Sequence, residues 1–184
     1  MKSYNQSNQS LMTEKQKEIL NSALKLIAKQ GFQATSTRSI AKEAGVSEGL
    51  IFRHFQNKKG LLSFMLNEGQ NKLLKMIQPI EKLTLPKVIL KHIISLPFNL
   101  TMDQKDFLKI FYSLRWQMNL DQSDFLKQLT PKVKSAFKSL NYSDCDSESE
   151  TFMMIWEGAM VYVLLNDPKN SFLVYETLLS KYDL

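Results

Sequence analysis

The chain has 184 residues, 43% hydrophobic and 23% charged, a globular composition that excludes intrinsic disorder throughout. Six glycines and five prolines are too few for the many turns of an all-β fold, and the wealth of Leu, Lys, Gln, Glu, Met and Ala favours helix. The net charge of +6 sits entirely in the first third. Residues 1–60 hold ten basic and four acidic side chains, and residues 61–184 hold 14 of each, as a basic nucleic-acid module joined to a neutral domain would, or a lysine-rich solvated surface.

Residues 1–12 begin with the polar MKSYNQSNQS, which lacks the apolar core of a signal peptide and is expected to fray. A first helix is predicted from Thr13 to Gln30. Thr13 and Gln16 fit a capping box, and Leu20, Ala23, Leu24, Ile27 and Ala28 fall at helical spacing. Gly31 is placed to end it in the left-handed conformation. A short second helix follows, capped by Ser36 or Thr37, with Ile40, Ala41 and Ala44 as its buried face. In the turn Gly45-Val46-Ser47, the glycine takes the special backbone angle, Val46 packs inward and Ser47 caps the next helix. That third helix spans Glu48–Phe55, with Ile51 and Phe55 facing inward together. Asn57 is the expected cap of a fourth helix running toward Ile77.

Beyond this point the predicted elements are a helix from Pro86 to Leu96, one from Asp103 to Met118, and one or two within Asp121–Leu140. Pro131 marks either a kink or a helix start there. The acidic run Asn141–Ser149 reads as a loop. Two apolar helices, Glu150–Leu165 and Pro168–Tyr182, follow it. The longest apolar stretch, Phe152–Leu165, is short and interrupted by Glu157, so no membrane span is expected. The single cysteine, Cys145, cannot form an internal disulfide. With no export signal, a cytoplasmic location is expected.

Residues Ala34–Leu62, ATSTRSIAKEAGVSEGLIFRHFQNKKGLL, carry the chemistry. A short helix, a glycine-centred turn and a second short helix form a helix-turn-helix, and the major groove of DNA is wide enough to admit the second helix. Arg38 is placed for a phosphate. The stretch closely resembles the DNA-binding domain of the tetracycline repressor (TetR) family. The resemblance is carried by Gly31-Phe32, Thr35-Ser36, Ile40-Ala41, Ala44-Gly45-Val46-Ser47, Gly49, Phe52, His54-Phe55, Lys58 and Leu61-Leu62, over roughly residues 13–62.

The resemblance implies that Ser36, His54 and Lys58 contact or position the phosphate backbone. It also implies that the third helix reads bases through Gly49, Leu50 and Arg53. Glycine there allows close approach to the groove, Leu50 can meet a thymine methyl, and Arg53 can bond guanine bidentately or grip a phosphate. Phe52 departs from the family, which usually has a tyrosine at this position. The phenylalanine ring can touch a sugar but cannot hydrogen-bond a phosphate.

The expected fold is all-α. An N-terminal three-helix helix-turn-helix (homeodomain-like) domain at 13–59 precedes a larger helical ligand-binding and dimerisation domain at 60–184. The last two helices are apolar around more than one face, from Phe152 through Leu179, and must bury both sides. A two-fold four-helix homodimer interface satisfies that, as does a helix buried within one subunit. Gly158 and Ala159 would allow close helix approach. Phe98, Phe107, Phe111, Tyr112, Trp116, Met118 and Phe125 supply pocket lining or plain core, with His92, Arg115 and Glu157 as polar candidates. No ligand contact is assigned; a small hydrophobic molecule is the candidate ligand.

No catalytic set is present. The two histidines lie in different domains, Cys145 sits in an acidic run with no histidine nearby in sequence, and there is no zinc-ligand spacing, Walker loop or GxGxxG. No cofactor or metal is expected. The expected function is a repressor that binds a palindromic operator in double-stranded DNA and is released by the ligand. The alternatives are a DNA-binding regulator without a small-molecule ligand and a helical carrier or interaction protein that has lost DNA binding.

Overall fold

The computed structural model describes residues 12–117, 124–166 and 171–184. Among them are helices and turns but no strand. The helices are α1 (Glu14–Ala34), α2 (Thr37–Glu43), α3 (Glu48–Phe55), α4 (Lys58–Ile77), α5 (Pro86–Ser95), α6 (Met102–Gln117), α7 (Asp124–Ser139), α8 (Cys145–Asn166) and α9 (Ser171–Lys181). Short 3-10 segments follow α4 at Gln78–Lys82 and α5 at Leu96–Asn99. The chain divides into two compact units, one up to Met65 and one from Leu66.

In the first unit α1 begins at the expected box. The Thr13 hydroxyl accepts from the Gln16 N–H at 3.2 Å, and the Gln16 side chain accepts from the Thr13 N–H at 2.9 Å. Gly31 breaks the helix at φ +80°, but one more turn runs on to Ala34. The Thr35 hydroxyl donates to the Gly31 carbonyl at 2.8 Å and supports that turn. The buried stripe of α1 is Ile19, Leu20, Ala23, Ile27 and Phe32, while Ala28 lies on the exposed side. With Ile40, Ala41, Ile51, Phe55, Leu61 and Leu62 it forms the core of this unit. Each such large apolar side chain contributes about 1.5–3 kcal/mol on burial. Ala44 and Val46, expected in the core, are only half-buried. They stand at the turn, where the backbone leaves the packed face.

In the second unit α7 packs on α8 and α5, α6 on α8, and α9 on α5. Trp156 is completely buried, and its indole N–H donates to the Ile93 carbonyl at 2.8 Å. Phe137, Phe152 and Tyr182 form an aromatic cluster, with ring centroids 5.1–5.9 Å apart.

Of the two readings of Pro131, a helix start is excluded, because α7 runs through it. One expectation changes. The acidic run is not all loop, because α8 starts at Cys145. The Asp144 carboxylate accepts from the Ser147 N–H at 3.0 Å, and the Ser147 side chain first, then this N–H, hold Asp144 below its usual pKa. Asp146 and Glu148 lie in the first turn, where the positive end of the helix dipole favours acids. Polarity there marks a helix start. Met118, Pro168 and the expected frayed end up to Leu11 lie outside the described residues, as does the side chain of Phe125.

Candidate functional site

Three caps and two glycines set the geometry of α2 and α3. Ser36 is the cap of α2. Its hydroxyl accepts from the Ser39 N–H at 3.0 Å, and the Ser39 hydroxyl accepts from the Ser36 N–H at 3.1 Å. Gly45 turns the chain at φ +64°. Ser47 caps α3 by accepting from the Leu50 N–H at 3.2 Å. After α3, Asn57 caps α4 by accepting from the Gly60 N–H at 2.9 Å. Gly60 is needed for a separate reason: a Cβ there would fall 1.9 Å from the Phe55 carbonyl oxygen, so α4 can start this close to α3 only without a side chain.

The result is a short helix with one face anchored and the other open. Ile51 and Phe55 are buried, while Gly49, Phe52 and Arg53 are exposed and Leu50 and His54 are half-buried. Phe52 stands 44% exposed. Ser36 and Arg38 are exposed on α2 and its cap. An open groove of about 580 Å³ runs past Ser36, Arg38, Ser39, Lys42, Val46 and Glu48.

Lys58 differs from the other candidates. It is half-buried. Its ammonium donates to the Gln33 carbonyl at 3.1 Å and lies 4.4 Å from the centre of the Phe32 ring. It therefore ties the end of α1 to the start of α4 in the free protein. Sequence reasoning also missed a second tie. The Thr37 hydroxyl donates to the Glu48 carboxylate at 2.6 Å, pinning the first turn of α3 to the first turn of α2. The two residues are eleven apart, so no periodicity links them. Lys25 pairs with Glu43 at 2.5 Å and holds the Glu43 carboxyl below its usual range, first through that hydrogen bond and then through charge.

In the second unit a cavity of about 470 Å³ lies between α4 and α6. Of the aromatic candidates for pocket lining whose side chains are described, Phe107 is the one that borders it. Phe111 and Tyr112 are buried in the core, and Trp116 is 60% exposed. Burial and then the Glu157 charge push the Tyr112 phenol up to about 12. Burial also raises Glu157, against the pull of Arg115. Neither Arg115 nor Glu157, nor His92, borders the cavity. Among the described residues no group of three or more metal-ligating side chains comes together, and no helix is long and apolar enough to cross a membrane.

Residues 19–63 match the family of bacterial regulatory proteins, tetR family. By this match the first domain is similar to those of the tetR family. The match covers α2, α3 and their flanks, where the exposed face lies. An uncharacterized HTH-type transcriptional regulator of Bacillus subtilis, YerO, is 34% identical over 101 residues, which is 53% of this chain and 35% of that one. The matched stretches span about a third of the length of such curated relatives.

Solved structures carry a likeness of fold through the second unit. The transcriptional regulator FadR of Bacillus subtilis, crystallised with stearoyl-CoA, aligns at a TM-score of 0.64 and 21% identity, over 89% of this chain and 95% of that one. A putative transcriptional regulator of Saccharomonospora viridis in complex with choline aligns at 0.71 and 17% identity, over 90% and 93%. At these identities the likeness is one of fold.

Proposed function

We propose that the protein is a DNA-binding transcriptional regulator, a repressor that binds a palindromic operator as a homodimer and leaves it when a small hydrophobic ligand binds. One observation carries this reading: α3 buries Ile51 and Phe55 and turns Gly49, Phe52 and Arg53 outward beside exposed Arg38. In this reading Gly49, Leu50 and Arg53 meet base edges, and Phe52 packs on the sugar. Ser36, Arg38, His54 and Lys58 serve the backbone phosphates, with Lys58 first releasing the Gln33 carbonyl. The DNA-binding domain is 13–59, and the ligand-binding and dimerisation domain is 60–184.

The homodimer is supported by α8 and α9. Met154, Gly158, Tyr162 and Leu165 recur at helical spacing on the exposed face of α8, and Phe172 and Leu173 are exposed on α9. Gly158 has nothing within 4 Å of where a Cβ would stand, which leaves room for a second helix to approach. An apolar stripe of this kind suits an isologous four-helix contact. The ligand is supported by the 470 Å³ cavity, within the size range of small-molecule sites. The structures crystallised with stearoyl-CoA and with choline bind unlike molecules, so they support a ligand without choosing one.

Selection of genomic fragments by the purified protein tests the reading. The expected outcome is enrichment of a palindrome whose half-sites are about one helical turn apart. Recovery of fragments with no shared sequence would count against it.

A further inference from the structure

In the second unit the later part of α4 runs antiparallel to α6. The Gly69 backbone lies against the Phe111 ring, so closely that a Cβ on Gly69 would fall 2.3 Å from the ring. Three residues on, the Lys72 ammonium lies 3.8 Å from the centre of the Phe107 ring. Past these contacts the cavity of about 470 Å³ opens. Met76, Phe107 and Leu108 give it apolar lining, and Lys72 and Lys75 give it positive charge. Asp103 is the one carboxylate among its described lining residues.

Neither lysine has a carboxylate within salt-bridge distance among the described residues. The Lys72 ammonium instead leans on an aromatic face, a weaker partner than a charge-assisted hydrogen bond. Partial burial already pulls the Lys72 pKa down, against the more distant charges of Glu68 and Asp103. A neutral molecule filling the cavity would strip more water from this ammonium and return nothing, and a cation would be repelled. A negative group would offset the loss.

We propose that this cavity binds an amphipathic anion, a carboxylate on an alkyl chain. The carboxylate accepts hydrogen bonds from the Lys72 ammonium with Lys75 beside it, and the chain lies on Met76, Phe107 and Leu108. The binding site stands by itself; only its role as the release switch rests on the regulator reading.

Calorimetry on the full chain, with each probe below its micelle concentration, tests the site. Dodecanoate is expected to bind at least about tenfold more tightly than dodecanol, and dodecyltrimethylammonium is not expected to bind. Lys72→Met should erase about tenfold of the preference for dodecanoate over dodecanol. Gln104→Trp, which fills the cavity from its lining, should abolish dodecanoate binding. The proposal is overturned if dodecanoate fails to bind, if the alcohol or the cation binds equally well, or if either variant leaves the preference and affinity unchanged. Dodecanoate that binds through Lys72 without altering DNA affinity would uphold the site and contradict ligand release. DNA binding without any dodecanoate binding would overturn the site and leave the regulator reading standing.

Discussion

α3 and α8 are built alike and finished differently. Each turns large apolar side chains into its own unit, Ile51 and Phe55 from α3 and Phe152, Trp156 and Met160 from α8. Their outward faces diverge. α3 shows a glycine, a phenyl ring and Arg53, with Arg38 nearby on α2; α8 shows Met154, Gly158, Tyr162 and Leu165. A face of small and cationic groups suits a polyanion with a groove, because charge supplies affinity and a bare backbone allows approach. A face of uncharged apolar groups suits another such face, because only burial stabilises it. The buried halves hold each helix in its unit, and the exposed halves carry the roles proposed for each.

The largest effect should come from the buried half of α8. Trp156→Ala removes a wholly buried side chain and leaves the Ile93 carbonyl without its indole donor. A loss of about 3–5 kcal/mol is expected in denaturant unfolding; a loss below about 1 kcal/mol would mean the face is not core. The exposed halves separate next. Leu165→Arg with Phe172→Arg should convert the proposed dimer to a folded monomer in sedimentation, with unchanged helicity. A dimer that persists would remove α8 and α9 from the interface.

On the exposed face of α3, Arg53→Ala should weaken specific DNA binding by about 1–3 kcal/mol if Arg53 reads a base. An equal loss on every sequence would assign Arg53 to a phosphate. Lys58→Ala should reduce the salt slope of DNA binding by about one unit. It should also lower stability slightly, because the Gln33 carbonyl and the Phe32 ring lose their ammonium. Lost stability with an unchanged slope would make Lys58 a tie within the fold alone.

The smallest effect is electrostatic. The folded-state pKa of Glu43 is depressed by Lys25. Its contribution is therefore present above the unfolded-state pKa and fades as pH falls through the folded value. The pair is exposed, so Glu43→Gln should flatten the acid limb of the stability profile only slightly. A large change would mean that the pair is shielded from solvent.

The first unit was more legible in the sequence than the second, for a physical reason. Caps and turns act within a few residues, so Thr13, Ser36, Gly45, Ser47 and Asn57 each announce a boundary where they stand. The Thr37–Glu48 and Lys58–Gln33 ties do not, since they form only after the helices meet. In the second unit Asp144 and its acidic neighbours look like loop in the sequence, because composition does not distinguish a capped helix start from a solvated turn. The cavity was hidden further. Lys72, Lys75, Asp103 and Gln104 look like ordinary surface until α4 and α6 lie side by side. Phe111 and Tyr112, the more conspicuous candidates, turned out to be core.

The central claim is that the outward face of α3 and the cations around it hold operator DNA. It is tested most directly by measuring affinity for the selected palindrome, and for a scrambled duplex, as salt rises from about 50 to 200 mM. The account predicts that log affinity falls linearly with log salt, with a slope of about 0.9 for each phosphate neutralised, and that the palindrome keeps its advantage throughout. A slope near zero, or equal binding of the two duplexes at every salt concentration, would contradict it.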